Sequence, residues 1–323
     1  MKVFISGATG VLGRRVVKLL TTSGHQAVAL SRSQAAGDWL KEHGAEARQG
    51  DLFNKDELSD ISSDCNAFLH LATSIPTKSS ATLADWKMND RIRREGTKNM
   101  IEAALRNKGD LFITHSVTFV YGDRNGDWVD ENSSIPTQQA SIIQSAVDME
   151  QIVKEAIVKR DLPAILLRNG SFYGHDSGQT QVMFELTRLG SYPVMGDGEY
   201  YWNNVNVNDA ANAMLKAVEN YTNGLGQTFN VCDDEPVLYR DLLNFVAEAL
   251  GAESPHHISV SQAESALGSH LAEVLLASVR CKNQLIKEKL DWTPQYPTYR
   301  EGYPAEIEKW SHMAGKYKKI VVK

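Results

Sequence analysis

The sequence predicts an α/β fold, a doubly wound parallel sheet with a smaller, discontinuous C-terminal lobe. Three observations predict it. Short, almost wholly apolar runs alternate with stretches of helical periodicity through the first half of the chain. A glycine-rich turn joins the first of those runs directly to the first helical stretch. After about Asn169 the alternation loosens, and from Leu238 onward the pattern is mostly helical.

Taken in order, Val3-Phe4-Ile5 is the first strand, and Gly7-Ala8-Thr9-Gly10-Val11-Leu12-Gly13 leads from it into a helix over Arg14 to Leu20. Ala27 to Leu30 and Ala67 to Leu71 are the next strands. Lys98 to Leu105 is helical, Leu111 to Thr114 extended, Ser141 to Lys159 helical and Ala164 to Leu167 extended. Strands this apolar suit a sheet covered on both faces. Glycines and aromatics cluster between Gly170 and Trp202, including Tyr200-Tyr201-Trp202, which read as lobe packing or as an aromatic wall. Val205 to Asp209 leads into a helix, and Thr228 to Val231 is one more strand. The expected division is a nucleotide-binding part over 1–169 plus about 203–233, and a substrate lobe over about 170–202 plus 234–313. A tail over 314–323 carries four lysines and reads as a solvated or frayed end.

The 323 residues suit one large or two modest domains. A net charge of −6 argues against nucleic acid as a partner, since phosphate binding needs a basic face. Cys65, Cys232 and Cys281 show no metal spacing and cannot all pair, so they read as reduced thiols in a cytoplasm. No run approaches the roughly 18 apolar residues of a membrane helix, and Met1-Lys2 passes straight into a strand without room for a signal peptide. No metal-ligand cluster or hydrolase elbow is visible.

The turn after the first strand has the spacing of a phosphate loop. Gly7 permits the tight turn, Gly10 lets the backbone approach a pyrophosphate, and Gly13 lets helix and strand pack closely. The helix N-terminus that follows offers free N–H groups and partial positive charge. Gly7, Thr9, Gly10, Val11, Leu12 and Gly13 are therefore expected to hold a dinucleotide on a Rossmann sheet. The second strand ends in Ser31-Arg32-Ser33. A carboxylate there would bond the ribose 2′-hydroxyl of NAD, whereas Ser31 and the Arg32 guanidinium suit a 2′-phosphate. NADP(H) is therefore expected over NAD(H), with a solvated surface arginine as the competing reading.

At this point the chain resembles the extended and atypical short-chain dehydrogenase/reductases, the group that contains sugar-nucleotide epimerases and dehydratases. The shared segments run in order along nearly the whole chain: Gly50-Asp51-Leu52, His70-Leu71-Ala72-Thr73, Asn89 with Gly96-Thr97-Lys98-Asn99, Val120-Tyr121-Gly122, Leu167-Arg168 with Phe172-Tyr173-Gly174, Val205 to Ala211, Leu290 to Pro294 and Tyr299 to Gly302. Asn169 replaces the usual proline after the arginine. The resemblance implies that Asp51 and Leu52 meet the adenine and that Leu71, Ala72 and Thr73 lie under the cofactor. It implies that Ser74, Phe119, Tyr173 and His175 line the substrate side.

The resemblance also implies a Tyr-x-x-x-Lys pair and a hydroxyl residue, and here this chain departs from it. With the downstream glutamate aligned on Glu150, the tyrosine position holds Ile142, the lysine position Ala146 and the hydroxyl position Val117. No tyrosine in the chain has a lysine four residues later. Ile142 and Ala146 cannot transfer a proton at any pH, so the usual family mechanism is absent. Ser116 and Thr118 flank the vacant hydroxyl position and are the remaining catalytic candidates. Tyr121 has no partner to lower its pKa, His70 reads as a core histidine, and His115 alternates with Ser116 at a strand end.

The expected function is an NADP(H)-dependent reductase of a small carbonyl or activated alkene, with a non-standard proton donor. A non-catalytic NADP(H)-sensing regulator is the alternative, and a sugar-nucleotide epimerase or dehydratase the third reading. The expected partner is a small-molecule substrate, with no nucleic acid and no membrane, on a monomer or homodimer.

Overall fold

The computed structural model describes the backbone of residues 1–77 and 81–321, and side chains as far as Met313. Seven strands form one parallel sheet: β1 (Lys2–Ser6), β2 (Gln26–Ser31), β3 (Glu46–Gln49), β4 (Ala67–His70), β5 (Leu111–Val117), β6 (Ala164–Asn169) and β7 (Thr228–Val231). Their spatial order is β7-β6-β5-β4-β1-β2-β3. Phe4 of β1 pairs with Val28 on one side and Phe68 on the other. The order reverses between β1 and β4, and ligands of such sheets bind at the carboxyl ends of the strands beside that reversal.

Alternation along each strand divides the core into two layers. Val3, Ile5, Leu111, Ile113 and Leu167 face α1 (Val11–Thr22) and the helix Val207–Glu219. Phe4, Phe68, Phe112 and Leu166 face α2 (Thr97–Arg106) and α3 (Ser141–Arg160). In α1 the buried residues Leu12, Gly13, Val16, Val17 and Leu20 recur at helical spacing and make one apolar stripe. Beyond the sheet a third cluster joins Phe184, Trp202, Tyr239, Leu242, Val246, Tyr303 and Trp310. Tyr200 and Trp202 are packed in it, stacked and tilted against Tyr239.

Two elements depart from the sequence expectation. β3 reads Glu-Ala-Arg-Gln and has no apolar pattern. It is an edge strand whose polar side chains form a surface ion network, Arg48 with Glu46 and Asp64, and Lys2 with Asp64. Within the loosened stretch, Gly178–Arg188 is a full helix that buries Met183 and Phe184. The expected tail, 314–323, falls outside the residues whose side chains are described. The last helix, Tyr299–Val321, runs through most of it.

Candidate dinucleotide and substrate site

The glycine loop sits at the point where the strand order reverses. Gly7 has φ +80°, and a Cβ there would stand 2.5 Å from the Ala72 backbone nitrogen, so the turn after β1 packs directly on the loop after β4. A Cβ at Gly13 would stand 2.1 Å from the Gly7 carbonyl oxygen, so helix and loop meet backbone to backbone. A Cβ at Gly10 would meet only that oxygen, at 3.3 Å, and Thr9 and Gly10 are exposed. Val11 is half-buried and Leu12 buried. No side chain caps the N-terminus of α1 and no acid lies in its first turn. The first N–H groups of the helix are thus left to an anion.

Ser31 is buried and donates to the Ser33 carbonyl, while Arg32 is exposed and makes no hydrogen bond or ion pair among the described residues. Asp51 is exposed; its carboxylate accepts from the Phe53 N–H. Leu52 is buried, and its carbonyl accepts from the Asn99 amide. Leu71 is buried, Ala72 half-buried, and Thr73 and Ser74 exposed. Asn89 accepts the Ser74 N–H at 3.0 Å. Around the strand ends, Asn89 Nδ2, His115 Nδ1 and Asn169 Oδ1 are buried without a hydrogen-bond partner. Buried polar atoms are nearly always paired, so orphans toward the carboxyl end of the sheet, the end that carries the phosphate loop, fit a polar cofactor that would complete them. The residues present thus fit a nicotinamide dinucleotide.

Val117, Ile142 and Ala146 come together in one apolar cluster with Trp86, Val120 and Val274, and Phe119 packs on its edge. Phe119 also meets Trp202 edge-on, with ring centres 5.4 Å apart. The alternation of β5 sends Thr114 and Ser116 toward α3: Thr114 lies on Met149, and Ser116 lies beside Glu150. The Ser116 hydroxyl is buried and makes no hydrogen bond of ordinary geometry, though it lies near enough to the Glu150 carboxylate to lower its pKa slightly. Thr118 is also buried. Tyr121 is fixed, its phenol donating to Asn230 at 2.8 Å and accepting from Arg168 at 2.8 Å. Burial pushes that phenol up, away from use as an acid near neutrality.

His70 meets the Ser6 hydroxyl at 2.6 Å, and burial lowers its pKa to about 4. Burial lowers His115 to about 4 as well, helped by the charge of Arg93. His115 stacks on Phe172, so one β5 side chain faces the segment that follows β6. Of the residues expected on the substrate side, Tyr173 is buried and stacked on Tyr303 at 4.3 Å. His175 is held by the buried Glu306, which accepts from both its N–H and its ring Nδ1. Both residues thus contact the last helix, Tyr173 through Tyr303 and His175 through Glu306. Sequence reasoning missed Arg93, which is buried against α3, because a charged residue amid Arg91-Ile92-Arg93-Arg94-Glu95 carries no inward-facing signal. Among the described residues no group of three or more His, Cys, Asp or Glu is placed to hold a metal, and no helix is long and apolar enough to cross a membrane.

Comparison with known proteins agrees with this geometry. The chain is 26% identical over 315 residues to the 3-diazoavenalumate denitrifying reductase of a Streptomyces species, covering 95% of this chain and all of the relative. It is 25% identical to a 4-hydroxy-2-methyl-3-oxo-4-farnesyl-3,4-dihydroquinoline-1-oxide ketoreductase of Stigmatella aurantiaca, over 85% of this chain and 80% of the relative. The crystal structure of human epimerase family protein SDR39U1 (isoform 2) with NADPH shares the fold, with a TM-score of 0.79 at 17% identity over 95% of this chain and 99% of that one. The family model for the NAD dependent epimerase/dehydratase family matches residues 3–232. The phosphate loop, the reversed parallel sheet and this match together identify the chain as a member of the NAD dependent epimerase/dehydratase family, within the extended and atypical short-chain dehydrogenase/reductases.

Proposed function

We propose that the chain is an NADP(H)-dependent reductase of a small activated carbonyl or alkene. The observation that carries the cofactor choice is Arg32, an exposed guanidinium with no partner among the described residues, at the end of β2 beside an open phosphate cradle. Gly7, Gly10, Gly13 and the N-terminus of α1 would hold the pyrophosphate, Arg32 the 2′-phosphate, Asp51 the adenine, and Asn89, His115 and Asn169 the nicotinamide end. The bound cofactor would supply the hydride. Val117, Ile142 and Ala146 present an apolar wall that neither gives nor takes a proton. His70 and His115, with pKa values near 4, are neutral at pH 7, and Tyr121 is fixed by Arg168 and Asn230. The proton would therefore come from water, which restricts the reaction to acceptors that take hydride without a strong acid. Two relatives that carry the name reductase support the reaction class.

The apolar filling of the Tyr-Lys positions also favours a second reading, a regulator that senses NADP(H) without turnover. Calorimetry with NADPH and NADH, followed by NADPH oxidation over a panel of quinones, enones and aldehydes, separates the readings. Binding with turnover supports the reductase. Binding with none across the panel favours the sensor, and absence of binding ends both.

A further inference from the structure

Between the helix Leu83–Arg91 and α2, the chain passes through one π-helical turn, Ile92–Gly96. The wider turn shifts the register of the side chains. Arg91 and Arg94 stay half exposed and are paired with Glu95 and Asp148. Arg93 instead points inward and is 6% exposed. Its hydrogen bonds are few and long, from Nη1 to the Ser145 hydroxyl at 3.3 Å and to the Ile142 carbonyl at 3.5 Å. A guanidinium has five N–H donors, so most of its capacity is unused. Among the described residues no carboxylate lies within 4.0 Å of it. Burial pushes its pKa down to about 10, and the more distant Asp90 only partly opposes this. A buried cation without a counter-ion is costly, and such a group persists where something else completes it.

The surroundings define what completes it. The Ile92 carbonyl lies 3.4 Å from His70 Nε2, which sets the π turn on the end of β4. The charge of Arg93 is felt at His115, near the end of β5. Its hydrogen-bond partners lie on the turn of α3 that carries Ile142 and Ala146, the positions where a phenol and an ammonium are missing. Trp86, Val117 and Phe119 belong to the apolar cluster around that turn. One under-used cation beside an apolar wall matches a molecule with an apolar body and a single negative end. The cofactor phosphates have their own donors at α1.

We propose that Arg93 is the anion receptor of the substrate site, binding the carboxylate of an organic acid whose apolar body lies against Trp86, Val117, Phe119 and Ile142. The proposal rests on the reductase reading above and adds the substrate class to it. Arg93 binds and orients the substrate and takes no part in proton transfer.

The test titrates the NADPH-loaded protein with benzoate and with its neutral analogue benzamide, in wild type, Arg93→Lys and Arg93→Met. Benzoate is expected to bind wild type at least tenfold more tightly than benzamide. Arg93→Lys should keep part of that preference and Arg93→Met should abolish it, while NADPH affinity stays within about twofold. The unliganded Met variant should melt no lower than wild type, because removing an uncompensated buried charge relieves the fold. Equal binding of the two probes by wild type, or no binding of benzoate, overturns the proposal without need of any variant. A Met variant that retains the benzoate preference overturns it too. Loss of NADPH affinity in that variant would make Arg93 a cofactor residue instead, and a lowered melting point or failure to fold would make it a structural cation. Failure of wild type to bind NADPH at all would sink the reductase reading itself, an outcome distinct from these.

Discussion

Arg168 grips both carboxylate oxygens of Glu150, Nε to Oε1 at 2.9 Å and Nη2 to Oε2 at 2.6 Å, with both side chains almost wholly buried. The pair ties β6 to α3, and the third guanidinium nitrogen holds Tyr121. Removing Glu150 leaves Arg168 buried without its ion-pair partner, and removing Arg168 leaves the buried Glu150 with only the half-exposed Lys154, whose Nζ lies 3.1 Å from Oε2. Glu150→Gln and Arg168→Met are each expected to cost about 3–5 kcal/mol in urea unfolding. The double change Glu150→Gln with Arg168→Met should cost clearly less than the sum of the two. Additive losses would mean that the two residues stabilise the fold independently.

Stability should also fall in mild acid. Burial lowers His70 and His115 from an ordinary 6.5 to about 4. Between those values the unfolded chain takes up protons that the folded chain refuses, so the folded state loses ground as pH drops. Each histidine accounts for on the order of 3 kcal/mol by the usual conversion. Glu150 adds to this further down. Burial pushes its carboxyl up, but Arg168 outweighs that and holds it below the glutamate range, so its contribution disappears as pH falls past that range. Unfolding free energies at pH 7, 6 and 5 should decline steadily, and His115→Asn should flatten the slope. A flat profile would mean that the histidines are not buried neutral.

How much of this was legible before the structure depends on the side chain concerned. β1, β2, β4, β5, β6 and β7 are apolar because both faces are covered, and such runs stand out in a sequence. β3 did not, because an edge strand with Glu46 and Arg48 in surface ion pairs has no apolar face to announce it. The glycine loop was legible because Gly7 and Gly13 answer backbone contacts that any side chain would break, at the spacing of a phosphate loop between a strand and a helix. Arg93 was not, because a single π turn decides whether the residue faces solvent or core, and a lone arginine among other charges gives no periodic signal. The partners of Tyr173 and His175 were not legible, since Tyr303 and Glu306, which stack on the one and bond the other, lie 130 and 131 residues later in the chain.

The proposed preference for NADP(H) rests on Arg32. NADPH is expected to bind at least tenfold more tightly than NADH, a gap of about 1.4 kcal/mol or more. Arg32→Ala should remove most of that gap by weakening NADPH and leave NADH unchanged. Calorimetry with both cofactors on both proteins decides it, and an unaltered NADPH affinity in the variant excludes Arg32 from the site.

Gly10 and Gly13 should fail differently. A side chain at Gly13 would collide with the Gly7 carbonyl and the Ala8 backbone, so Gly13→Ala is expected to destabilise the fold by a few kcal/mol as well as to lose NADPH. Gly10 has φ −71°, open to any residue, and only one neighbouring atom near its Cβ. Gly10→Val should therefore fold with a melting point close to wild type yet bind no NADPH, because the side chain blocks the approach to the pyrophosphate. A Gly10→Val protein that binds normally would remove the loop from the cofactor site.

Restoring the missing pair tests what the apolar cluster replaced. Ile142 and Ala146 lie one helical turn apart on α3, both buried with Trp86, Val120 and Val274. Ile142→Tyr is close to the apolar body it replaces and carries one hydroxyl that needs a partner. Ala146→Lys is harsher. It forces a long side chain into a position with no exposed surface and sets an ammonium within a turn of Arg93, whose Nη1 already lies at Ser145 and Ile142. Two buried cations repel, and no carboxylate lies within ion-pair reach of Arg93 among the described residues to relieve them. The lysine change alone should therefore lower the melting point more than the tyrosine change alone. The double variant should be unstable without cofactor and gain more from NADPH than wild type does, since a ligand that binds only the folded state stabilises it and the ribose would offer the ammonium a partner. Adding Arg93→Met to the double variant should recover stability if the repulsion is real. Thermal melts of the set with and without NADPH measure each step. Equal stabilisation of wild type and double variant by NADPH would mean that residues 142 and 146 do not face the nicotinamide, and the aligned positions of the lost pair would be wrong.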